Sequence, residues 1–142
     1  MKQNPSTMNI KELDKDIQEI IKKRIELQKL DYNNPKYDEL EEQLHENEDD
    51  FQDKYGEELE EILQDIHDDH CPDSDVLMPV AYIAKKYSIS AKGEYSVDFS
   101  EGVFVETEKY AGSDTKLVIL PNPARIVLSI SADNQQVLWQ GK

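Results

Sequence analysis

Two of the three histidines and the only cysteine fall within five residues of one another, in the stretch His67-Asp68-Asp69-His70-Cys71-Pro72-Asp73-Ser74-Asp75. Imidazole nitrogen and thiolate sulfur are ligands that zinc favours. A helix end would set His67, His70 and Cys71 at i, i+3 and i+4, on one face. Asp73 is the nearest candidate for a fourth ligand, with Asp75 and His45 behind it. The spacing matches no standard zinc pattern, so a zinc site is the alternative reading here and not the leading one. The competing account needs no metal. His67 and His70 occupy the last turn of a helix, where a cation meets the negative end of the dipole, while Cys71 fills space and Pro72 stops the helix. Activation of the thiol is disfavoured, because four neighbouring aspartates would raise its pKa.

A second concentration of chemistry-bearing groups precedes the first. Asp38, Glu42, Glu46 and Asp50 form one i, i+4 ladder, and Asp49, Asp53, Glu57, Glu61, Asp65 and Asp69 form another. Residues 31–71 hold seventeen Asp and Glu against Lys36 and Lys54, a net −15, whereas residues 1–30 come to +2 and residues 72–142 to −2. Like charges at helical spacing each destabilise by about 0.2–0.5 kcal/mol, so the eight pairs together cost on the order of 2–4 kcal/mol at low salt. One reading is a solvated face that keeps the protein dispersed. The other is a docking face, with Glu42, Glu46, Asp49, Asp50, Asp53, Glu57, Glu61 and Asp65 presented to a basic protein partner, as in an inhibitor or an immunity-type antagonist.

Other classes find less support. There is no Gly-rich phosphate loop, no G-x-S-x-G and no H-E-x-x-H, and exposed acids in an acid-rich field lack the opposed environments that divide acid from base, so a non-catalytic protein is expected. Ile83–Ser90 reads like the first half of a helix-turn-helix, but no recognition helix follows, and a formal charge of −15 opposes direct nucleic-acid binding. No apolar run reaches the ~18 residues of a membrane span, Met1–Pro5 has no apolar core of a signal peptide, and a lone cysteine allows no internal disulfide. These features point to a cytoplasmic protein without membrane contact.

The elements that must hold these groups follow from periodicity. The 142 residues suit a single domain of α+β class: an acidic helical hairpin over 9–68, a short helix over 76–88 and an antiparallel sheet over 93–141. Residues 1–8 read as an arm. Asn9 is an N-cap with Glu12 at N3, and Met8 with Leu13 forms a hydrophobic staple. Apolar positions from Ile10 to Leu30 follow a helical period in a wide stripe, wide enough to complete a four-helix bundle in a homodimer as a third reading. Asn34-Pro35 opens a second helix, whose apolar steps Tyr37, Leu40, Leu44, Phe51, Tyr55, Leu59, Ile62 and Ile66 resemble an antiparallel coiled-coil seam. That helix outreaches its partner, so it overshoots, bends near Gly56 or, as the apolar Leu59, Ile62, Leu63 and Ile66 favour, lies on the C-terminal half. Val76 to Tyr87 fits a short helix, with a strand as the competing assignment because of Pro79. Beyond Gly93, alternation and turn residues predict a meander of about five strands: Tyr95–Phe99, Val103–Thr107, Leu117–Leu120, Arg125–Ser131 and Gln136–Gln140.

Overall fold

Asn9 opens the fold as its sequence predicts: its side chain accepts the Glu12 N–H at 3.1 Å, satisfying one of the first-turn donors of α1 (Ile10–Lys29). The computed structural model describes residues 9–98, 100–110, 112–131 and 134–141; the expected arm, Met8 of the staple, Phe99 and Asp133 lie outside them. After α1, Asn34 turns the chain, taking the Lys36 N–H on its side chain and the Tyr37 N–H on its carbonyl, both at 2.9 Å. Helix α2 (Tyr37–His70) therefore starts two residues beyond Pro35, the expected first helical position.

At 1.5 Å per residue, α2 is about 51 Å long and α1 about 30 Å. The helix is continuous through Gly56, where the amide of Gln52 occupies the space a Cβ would need, so the glycine accommodates that side chain. Antiparallel contact is fixed by Arg24 with Glu48, Tyr55 with Asp16, and Lys54 with Glu12. Beyond that overlap the last turns of α2 pack on a 3-10 turn, Pro79–Tyr82, which itself touches the sheet. Leu59, Leu63 and Ile66 are buried there, while Ile62 is only half-buried.

The stretch 76–88 forms no continuous helix. Only the 3-10 turn is helical, and Ser88–Ile89 is strand β1. The reason lies in tertiary hydrogen bonds: Arg24 donates to the carbonyls of Ile83 and Ala84 at 2.8 and 2.7 Å, and Tyr87 Oη accepts the Ala84 N–H at 2.8 Å. Backbone groups that a helix would pair with each other are taken by α1 and by a tyrosine.

Strand β1 pairs antiparallel with β2 (Tyr95–Ser96) across a turn closed by Gly93 at φ 82°. The expected pairing of Tyr95–Phe99 with Val103–Thr107 is replaced by this backward pairing, because Ser90 collects the Lys92 and Glu94 N–H groups on its hydroxyl and the Gly93 N–H on its carbonyl. The main sheet is a four-stranded antiparallel meander in the order β3 (Val103–Phe104), β4 (Lys116–Leu120), β5 (Arg125–Ser131), β6 (Asn134–Gln140). Strand β4 is buried from Leu117 to Leu120 and β5 from Ile126 to Ser129, as covered central strands should be. Helix α1 is tied to this half by Asp14, which accepts the Asn122 N–H at 2.9 Å, and by Gln18, which accepts from Tyr95 Oη at 3.3 Å. The buried apolar side chains of helices and strands form one contiguous cluster. Among the described residues, no helix is long and apolar enough to cross a membrane.

Candidate functional site

Helix α2 carries sixteen carboxylates and one lysine, a net −15 that equals the net charge of the whole chain. All remaining residues together balance. The local reason for the segregation is visible in the burial pattern. Leu44, Phe51, Tyr55, Leu59, Leu63 and Ile66 face inward, leaving the other side of a long helix to charged residues. Glu42, Glu46, Asp49, Asp50, Asp53, Glu57 and Glu61 are exposed, and Asp65 is half-buried.

Arg24 and Lys54, two cations near α2, are engaged by groups other than these carboxylates. Arg24 donates to Glu48 at 2.7 Å while holding the two carbonyls of the 83–84 segment. Lys54 points across to α1, 3.6 Å from Asp16 and 3.4 Å from Glu12, and the charge of Asp16, followed by the hydrogen bond to Glu12, raises its pKa. Tyr55 donates to Asp16 at 2.7 Å; burial first, and that hydrogen bond second, push its phenol upward. Lys23, Arg24 and Lys54 form ion pairs, and among the described residues none reaches Glu42, Glu46, Asp49, Asp50, Asp53, Glu57 or Glu61. What results is a row of exposed carboxylates that, among the described residues, pair with no cation, on one continuous helix.

The histidine and cysteine group resolves differently. His67 is buried at 1% exposure. Its Nδ1 lies 2.8 Å from the Ser74 carbonyl and its Nε2 3.0 Å from Tyr82 Oη, which also accepts the Leu77 N–H at 3.0 Å. A carbonyl can only accept, so Nδ1 carries a proton and donates it to Ser74. Both ring nitrogens are engaged by the turn that follows the helix. Cys71 is fully buried and burial pushes its thiol up to about 11, while burial also raises the Tyr82 phenol. His70 and Asp73 are exposed. His67 and Cys71 thus point inward and His70 and Asp73 outward; among the described residues, no three His, Cys, Asp or Glu side chains converge as a metal site. His70, Asp68, Asp69 and Glu108 instead border an open cleft of about 390 Å³ between the end of α2 and the loop over 107–110.

Sequence reasoning missed Tyr82 and Ser74 as the partners of His67, and Arg24 as the joint between α1, α2 and the 83–84 segment. Tyr82 left one trace, as the only hydroxyl in the apolar run Val80–Ala84. No protein-family model, characterised protein or solved structure matches the chain.

Proposed function

We propose that this protein is a non-catalytic interaction module that presents the outward face of α2 to a basic protein, in the manner of an inhibitor or antagonist. The observation that carries this reading is the segregation of charge: −15 on one helix, balanced charge elsewhere, and twelve exposed carboxylates on that helix without an ion pair among the described residues. Dispersal in water would be served as well by charges spread over the surface, without setting like charges at i, i+4 along one helix. A focused field instead speeds the approach of an oppositely charged partner and orients it. Glu42, Glu46, Asp49, Asp50, Asp53, Glu57 and Glu61 are the contact residues of this reading, with Asp65 at its edge.

The test is affinity capture from the native cell extract at low salt, followed by a salt gradient, run in parallel with the double variant Asp53→Lys, Glu57→Lys. The reading expects a basic protein that elutes from the parent at moderate salt and fails to bind the variant. Capture of the same proteins by both chains, or no basic protein in either eluate, would leave α2 as a solvated face.

A further inference from the structure

We infer that β6 is the edge through which two copies of this chain pair, antiparallel about a two-fold axis, to join their sheets into one of eight strands. β6 hydrogen-bonds β5 on one side, and among the described residues no strand pairs with its other side. An open edge is a row of unpaired N–H and C=O groups, which proteins ordinarily blunt by shortness, lysine, proline or a bulge. The two edges of this sheet differ in that respect. β3 is two residues long, while β6 is seven, with the sequence Asn-Gln-Gln-Val-Leu-Trp-Gln and no proline or ionisable side chain. Its ladder with β5 has two irregularities: Leu138 is passed over between Ile126↔Trp139 and Val127↔Val137, and Ile130 of β5 between Ser129↔Gln135 and Ser131↔Asn134, so the extra residue on β6 itself is Leu138 alone. Val137 is 53% exposed at the middle of the strand.

Charge selects the occupant. Each copy carries −15, so two copies repel wherever the acidic helix faces a partner. A long strand without a charge is the surface on which like copies meet at least cost, whereas a basic partner would be drawn to α2. An antiparallel strand edge is also its own complement under two-fold symmetry, as a dimer of identical chains requires. Full overlap of Asn134–Gln140 with its mate sets Val137 on the axis, opposite itself.

The experiment is sedimentation velocity from micromolar to millimolar protein, at low and moderate salt, with amide hydrogen exchange at both ends of the concentration range. The expected result is a twofold rise in mass, favoured by salt, with exchange at β6 amides slowed about tenfold as the dimer fills. Val137→Lys places two lysines face to face and should remain monomeric, although it lowers the net charge and so the general repulsion. Gln135→Lys is a second blunting variant at an exposed position. Phe104→Lys makes the same charge change on the opposite edge and should dimerise like the parent. A monomer under every condition overturns the proposal, as does a dimer whose β6 amides exchange as in the monomer, or one that survives both β6 lysines. Protection of β6 that is independent of concentration overturns it as well.

Discussion

The outward face of α2 and the turn that follows it are both dense in ionisable side chains, yet their polar atoms end in different places. Along α2, twelve carboxylates face water with no ion pair among the described residues, Glu42, Glu46, Asp49, Asp50, Asp53, Glu57 and Glu61 among them. At the turn, the two ring nitrogens of His67 meet Ser74 and Tyr82, and Cys71 is sealed in the core. The spacing of His67, His70 and Cys71 resembles a ligand set, but the helix end directs them to opposite sides. A cluster of reactive residue types becomes available for binding only where the fold leaves its polar atoms without internal partners. By that measure the plain acidic helix is the better candidate, and the more varied cluster serves as a structural knot.

The contrast can be broken most readily at the knot. His67→Ala removes a buried ring and two hydrogen bonds, and should lower unfolding free energy by about 3 kcal/mol in urea titrations, with Tyr82→Phe costing about 1–2 kcal/mol. Near-zero values for both would mean that the knot is loose and that His67 is free to serve as a ligand. The next effect is alkaline. Burial raises the Cys71 thiol from 9.0 to about 11 in the folded state, so the fold holds that proton more tightly than the unfolded chain does. Stability is then intact below pH 9.0 and falls as pH rises toward 11, by about 2 kcal/mol for this group alone, and the raised Tyr82 phenol adds in the same direction. Urea midpoints across that range, with Cys71→Ala as the control for the thiol share, measure it.

Effects on the acidic face are smaller and of opposite sign. Salt screens the like-charge ladders, so raising ionic strength should stabilise the free protein by about 1 kcal/mol. Asp53→Lys or Glu57→Lys, each at an exposed position, should change stability by no more than about 0.5 kcal/mol, in the stabilising direction. A large loss from either would show that the face is structural and erase the contrast with the turn.

Much of this arrangement was legible in the sequence where local chemistry decides it. Asn9 caps, the apolar steps give both helices, and Pro121–Pro123 separates β4 from β5. Legibility failed where distant groups compete for the backbone. Val76–Tyr87 has helical periodicity, but Arg24, 59 residues away from Ile83 along the chain, takes the carbonyls that would have closed the turns. Tyr95 alternates like a strand and is one, yet its partner is Ser88–Ile89, because the Ser90 hydroxyl and Gly93 make a turn that the next segment cannot match. For the site, exposure of the acidic face followed from the helix period. The inward fate of His67 and Cys71 did not, since it depends on Tyr82, fifteen residues on.

The most direct measurement of the central claim is the association rate of the captured basic partner with parent protein and with Asp53→Lys, Glu57→Lys, followed against ionic strength. If α2 steers and docks that partner, the parent's rate falls steeply between low and physiological salt, and the double variant binds slowly with a shallow salt dependence while remaining folded. Equal rates and equal salt slopes for the two proteins would contradict the account, leaving the acidic helix without a role in recognition.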